Sequence, residues 1–239
     1  MVMTVSAGSA STKIRYILQF DSSHTEKFDI AIDKLTGRSS TPPPNVIPEW
    51  AKLDFEQCPN CPLDTEETEN CPTAVALVDI ARRVGKVVSH SEVELVVISE
   101  ERWVGKKTSS QEAISSLMGL KIATSACPHT DYLKPMARFH LPLATAEETL
   151  TRITGGFLLH QYFKAKRGDT SGLNLSNLAA LYSEMSIVNS SIARRLRASG
   201  EFSELNALTI LDTFAQVIPL QIEDRLDEIQ TLFEFGGNK

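Results

Sequence analysis

Between residues 14 and 20 apolar side chains alternate with more polar ones, giving Ile14, Tyr16, Leu18 and Phe20 on one side of the chain. A period of two is the signature of a strand with one buried face. Phe28, Ile30 and Ile32 repeat the pattern after a polar connection that holds Asp21, Ser22 and Ser23, so the two segments are predicted to pair as an antiparallel hairpin. Gly37 and the run Ser39-Ser40-Thr41-Pro42-Pro43-Pro44 follow. The prolines deny this run both helix and central strand and make it an extended spacer. Further on, Val93, Leu95, Val96, Val97 and Ile98 predict a buried strand over 92–98.

Elsewhere the period is helical. Pro72 suits a first helical position, and Ala74, Val75, Leu77, Val78 and Ile80 follow at core spacing up to Gly85, predicting a helix over 73–84. Ser109 to Glu112 reads as a capping box that opens a helix to about Ala123, and Thr145 to Glu148 reads as another. Beyond the second box lie Leu150, Ile153, Phe157, Leu158 and Phe163, with Gly155-Gly156 inside the pattern as a place for close helix packing or a kink. Leu175, Leu178, Leu181, Met185, Val188, Ile192 and Leu196 then form one stripe, the spacing of a helix face packed in a core. Two more helices are predicted over Ser203–Val217 and Leu220–Phe233, broken at Pro219. The expected architecture is α+β: a tail over 1–12, a cysteine-containing α+β domain over 13–140 with a small antiparallel sheet, and an all-helical subdomain over 141–235.

Charge narrows the function. The net charge of −6 opposes nucleic-acid binding, which needs a basic face for the phosphates. The basic runs Lys164-Ala165-Lys166-Arg167 and Arg194-Arg195-Leu196-Arg197 sit where helices are predicted to end, and there they complement the helix dipole. No apolar stretch approaches the roughly 20 residues of a membrane helix, and residues 1–12 do not read as a signal peptide. A cytoplasmic chain with reduced thiols is expected.

That setting gives weight to the cysteines. The chain has four, Cys58, Cys61, Cys71 and Cys127, and each precedes a proline: Pro59, Pro62, Pro72 and Pro128. A Cys-x2-Cys pair sets two thiolates on one tight turn, close enough to share an ion. Cys71 would add a third ligand from a helix start and Cys127 a fourth from beyond the helix that ends near Ala123. The set suits zinc, the commoner structural choice, and equally an iron–sulfur cluster, where a cysteine followed by proline is familiar. His129 is an alternative to Cys127, and four merely packed cysteines remain the metal-free reading. The acidic loop with Asp64, Glu66, Glu67 and Glu69 lacks the glycine and ligand alternation of a calcium loop and reads as solvated. Cys127, His129 and Asp131 are too close in sequence for a triad, and His90, His140 and His160 read as satisfied or surface histidines. No phosphate loop, dinucleotide fingerprint or nucleophile elbow occurs, so catalysis is not expected.

The chain resembles an uncharacterised bacterial family, one of the domains of unknown function. The resemblance rests on the amino-terminal hairpin, Gln57-Cys58-Pro59-Asn60-Cys61-Pro62-Leu63, Cys71-Pro72 and Cys127-Pro128, and extends to Pro135-Met136-Ala137, His140-Leu141-Pro142, Glu147-Glu148-Thr149 and Gln161-Tyr162-Phe163. It implies a bacterial source and a shared cysteine arrangement. The expected function is that of a non-enzymatic metal-binding protein. Cys58, Cys61, Cys71 and Cys127 are its ligands, and its helical half engages a protein partner or a second copy.

Overall fold

The structure, a computed structural model, describes residues 10–88, 90–169, 174–200 and 226–234. The hairpin forms as the alternation predicts. Strands β1 (Ser11–Gln19) and β2 (Thr25–Asp33) pair antiparallel from Ser11 opposite Asp33 to Gln19 opposite Thr25. Strand β3 (Glu92–Ile98) adds to the other side of β1, and β4 (Trp103–Ser109) to β3, giving the antiparallel order β2-β1-β3-β4. The sequence did not announce β4. It is an edge strand with only Val104, Thr108 and Ser109 drawn partly out of solvent, and Lys106 and Lys107 leave it no apolar period to detect. The predicted tail over 1–12 is shorter than expected, since Ser11 and Thr12 already belong to β1, and residues 1–9 lie outside the described residues.

One face of the sheet is dry. Tyr16, Leu18, Phe28, Ile30, Ile32, Val93 and Leu95 are buried. They join a core with α1 (Pro72–Val84) and α2 (Ser110–Thr124). Cys71 is the N-cap of α1 and Gly85 its C-cap. Only half of the first expected capping box forms. The Ser109 hydroxyl accepts from the Glu112 N–H, but the Glu112 carboxylate takes the Thr108 hydroxyl. After a 3-10 turn over Pro128–Leu133 come α3 (Lys134–Arg138), α4 (Ala146–Lys166) and α5 (Ser176–Ala198). The box at the start of α4 is complete.

The stripe on α5 is core, as its spacing predicts. Its lower half, Met185, Val188, Ile192 and Leu196, joins the same core as the sheet, α1 and α2. Its upper half, Leu178 with Tyr182, packs with Leu150, Ile153 and Phe157 of α4 in a second cluster. Helix α5 is thus shared between two cores and ties them into one body. The helix predicted over Ser203–Val217 lies outside the described residues, as does most of the one over Leu220–Phe233, whose final turn is 3-10 over Gln230–Phe233.

Two glycine sites separate space from strain. A Cβ at Gly155 or Gly156 would meet nothing within 4 Å, so neither serves the close packing that the sequence suggested, and α4 runs unbroken past both. Gly37 has φ +67°, and a Cβ there would lie 2.8 Å from the Lys134 Cβ. Gly155→Ala is expected to raise stability by about 0.5–1 kcal/mol, and Gly37→Ala to lower it by about 1–3 kcal/mol, both read from urea denaturation midpoints.

Candidate functional site

The chemistry-bearing region is built where the segment before α1, α1, α5 and the turn before α3 meet. Cys71 and Cys127 stand at two proline-imposed corners. Their backbones are extended, at φ −66°, ψ 116° and φ −68°, ψ 127°, the region left to a residue before proline. Pro72 and Pro128 then take the first position of each helix, and neither thiol caps its own helix. The loop before Cys71 is closed at its neck. The Leu53 N–H donates to the Glu69 carbonyl at 2.8 Å, and the Cys71 N–H to the Ala51 carbonyl at 2.8 Å.

Inside that loop the Cys61 N–H donates to the Cys58 carbonyl at 3.0 Å, forming the tight turn expected of a Cys-x2-Cys pair. The turn is clamped from both sides. Asn60 Nδ2 donates to the Glu184 carbonyl on α5 at 3.2 Å and to its carboxylate at 2.7 Å. His129 Nε2 donates to the Asn60 carbonyl at 2.8 Å, which commits that nitrogen to structure. Asp64, Glu66, Glu67 and Glu69 are exposed, so the acidic loop is a solvated one.

The four cysteines converge although 69 positions separate the first from the last (127 − 58). The Cys58 thiol interacts with Cys71, Cys61 and Cys127, and the Cys127 thiol with Cys71 and Cys61. All four are free. Burial pushes the Cys58 and Cys127 thiols above the ordinary range, partly opposed by hydrogen bonds from the Ser191 hydroxyl to Cys58 and from the His129 N–H and the Thr73 hydroxyl to Cys127. Among the described residues no three cysteine, histidine or carboxylate side chains stand as a ready-made ligand set. The thiols share a neighbourhood, and two of them are turned to hydroxyl partners.

Two buried cations flank them. Arg195 on α5 is 1% exposed, and its Nη1 donates to the Trp50 carbonyl at 2.7 Å and to the Lys52 carbonyl. Its Nη2 reaches the Leu53 carbonyl at 3.4 Å, while Nε is buried without a hydrogen-bond partner among the described residues. Burial lowers its pKa, and Cys71, Cys58, Glu56 and Cys61 act in the opposite sense. On the Cys127 side, Lys134 Nζ donates to the Ala123 carbonyl (2.8 Å), the Ser125 carbonyl (2.6 Å) and the Thr130 hydroxyl (2.9 Å). Burial pushes Lys134 down to about 8, against the upward pull of Asp131 and Cys127.

Neither cation was singled out by the sequence reading. Arg195 was grouped with a helix-end basic run. It does lie in the last turn of α5, but it faces inward. The signal was its phase, three residues after Ile192 and seven after Val188, which sets a charge in the apolar stripe. The histidine expectations hold. His90 and His160 are exposed, and His140 Nε2 lies 2.5 Å from the Tyr16 hydroxyl.

A family model described as Domain of unknown function (DUF6901) matches residues 14–234. The chain belongs to that family. No curated protein matches the chain, and no solved structure does. Family membership therefore carries no activity to this fold, and the cysteine neighbourhood has to be judged on its own chemistry.

Two outcomes follow from this geometry. Arg195→Met should destabilise the chain by about 1–3 kcal/mol for each carbonyl left without a donor, seen as a lower denaturation midpoint. His140 is pushed down to about 3 by burial and then by Arg152. Its native form stays neutral while the unfolded chain takes up a proton below about 6.5. The unfolded state then binds more protons, so stability contributed at this site is present above pH 6.5 and is lost as pH falls from there toward 3. His140→Asn should flatten that part of the pH dependence, measured as the difference between variant and wild-type urea midpoints from pH 7 to pH 4.

Proposed function

We propose that this chain is a non-enzymatic metal-binding protein in which Cys58, Cys61, Cys71 and Cys127 hold one zinc ion. The observation that carries this reading is the pair of buried cations, Arg195 and Lys134, on either side of the four thiols. Four thiolates around a divalent ion leave a net charge of about −2, which is costly to bury alone. One guanidinium and one ammonium offset it. Without such a charge, Arg195 is buried against backbone carbonyls, and Lys134 against carbonyls, a hydroxyl and the exposed Asp131 carboxylate at 3.7 Å, an expensive arrangement for stability alone. When bound, the ion would act as a staple that joins the loop and the start of α1 to the turn after α2.

The ligands must lose protons first. Cys58 and Cys127 would exchange their bonds to Ser191 and Thr73 for the ion, with the nearby cations favouring the thiolates. The helical half is proposed to meet a protein partner or a second copy through α4. There Leu159, Tyr162 and Phe163 are exposed at 52%, 57% and 46% with the spacing of one helix face.

Elemental analysis and the visible spectrum of protein purified without oxygen test the site. A colourless protein with one zinc per chain is expected. Cys127→Ser should lower both metal stoichiometry and melting temperature. Iron with inorganic sulfide in a brown protein would replace zinc by an iron–sulfur cluster on the same ligands. A wild-type chain without metal, which also fails to take up zinc when it is supplied, would sink the proposal.

A further inference from the structure

Away from the cysteines, a cavity of about 590 Å³ opens between α2, α3 and the start of α4, with Tyr182, Met185 and Asn189 of α5 along another side. That volume is in the range of small-molecule sites. Its walls are mainly apolar, with Leu120, Met136, Leu143 and Met185 among them. Its polar lining includes Ser115, Ser116, His140, Thr149 and Asn189, with the buried Tyr16 behind the wall. The Tyr16 hydroxyl lies 2.9 Å from the Ser116 hydroxyl and 2.5 Å from His140 Nε2, and Ser116 also accepts the Leu143 N–H at 3.2 Å. The Tyr132 hydroxyl is buried without a hydrogen-bond partner among the described residues.

The charges on the cavity wall are Lys106, Arg152 and Glu112. Lys106 is exposed on the edge strand, and Glu112 accepts the Thr108 hydroxyl at the start of α2. Arg152 is the half-buried one. Its Nη2 donates to the Met136 carbonyl at 3.2 Å and the Phe139 carbonyl at 2.7 Å, which fixes the guanidinium at the cavity wall. Its Nε and Nη1 take no acceptor among the described residues, and the Glu148 carboxylate acts on it only through space. The nearby Glu148 is engaged in accepting the Thr145 N–H at 2.8 Å. That capping box takes the Thr145 and Glu148 amides at the start of α4.

We propose that this cavity binds an apolar monocarboxylic acid, with the carboxylate on the Arg152 guanidinium and the hydrocarbon body against Leu120, Met136, Leu143 and Met185. With Nη2 committed to two carbonyls, the guanidinium meets a carboxylate through its Nη1 protons, a charge-assisted hydrogen bond to one oxygen and not a two-pronged fork. A single such group beside a neutral imidazole suits one negative charge better than the two of a phosphate monoester. The apolar walls supply the larger share of the binding energy through burial. The proposal does not depend on the metal reading, because none of the four cysteines lines the cavity.

The test is calorimetric titration of the full chain with dodecanoate below its micelle concentration, and with dodecanol as the uncharged counterpart. One saturable dodecanoate site is expected, with dodecanol at least tenfold weaker. Arg152→Met should weaken dodecanoate tenfold or more and narrow the gap to dodecanol. Ala144→Trp, which fills the cavity from its wall without touching the charge, should weaken both ligands. It keeps the question open to decision if Arg152→Met fails to fold. Absence of binding, equal binding of acid and alcohol, or dodecanoate binding that Ala144→Trp leaves unchanged would each overturn the proposal.

Discussion

The buried guanidinium of Arg195 is the contact on which the arrangement of the amino-terminal and carboxy-terminal halves turns. Its donors take the carbonyls of Trp50, Lys52 and Leu53, at and just after a single 3-10 turn over Glu49–Ala51. Buried carbonyls without donors are costly, so this segment is held against α5 by necessity and not by propensity. Because Cys71 is hydrogen-bonded to Ala51, the next residue along, the same guanidinium fixes the start of α1. One long side chain thereby sets the spacing between the sheet layer and the last long helix.

Lys134 performs the corresponding task at the other corner. Its three acceptors come from the end of α2 and from the 3-10 turn, so the ammonium gathers chain ends that point their carbonyls the same way. Gly37, packed against the Lys134 Cβ, brings the turn after β2 to the same place. The cysteines sit between these two polar anchors. Their surroundings are consequently apolar enough to keep the Cys58 and Cys127 thiols protonated, yet rich in positive charge. That combination is unusual for cysteines that only fill space, which favour purely apolar surroundings.

Much of the fold was legible because periodicity reports burial directly. The β1–β2 hairpin, β3, the starts of α1, α2 and α4, and the core stripe of α5 all follow from it. What escaped was set by tertiary contact. Edge strand β4 has one partner and little burial, so it leaves almost no pattern. Helix α3 spans Lys134–Arg138, too short to show a period. For the cysteine region, the tight Cys58–Cys61 turn and the proline corners were readable locally. The inward turn of Arg195 was readable only from its phase in the α5 stripe, and the threefold hydrogen bonding of Lys134 was not, since a lysine in a sequence looks the same whether it meets water or a carbonyl. The Tyr16–Ser116–His140 contacts join positions 100 and 124 residues apart, and no local rule links them.

The spacing of the cysteines also bears on how the fold is assembled. Cys58, Cys61 and Cys71 lie within one short loop whose neck closes on itself, so bringing them together costs little chain entropy. Each is followed by a proline, which narrows the conformations that the unfolded chain samples and lowers that cost further. Cys127 is different. It reaches the others only after β3, β4 and α2 have been threaded into place, at the far side of a long sequence interval. Three of the thiols are therefore brought together by a local closure and the fourth only by long-range docking. The meeting of all four marks the point at which the sheet and the helices around it have completed their docking.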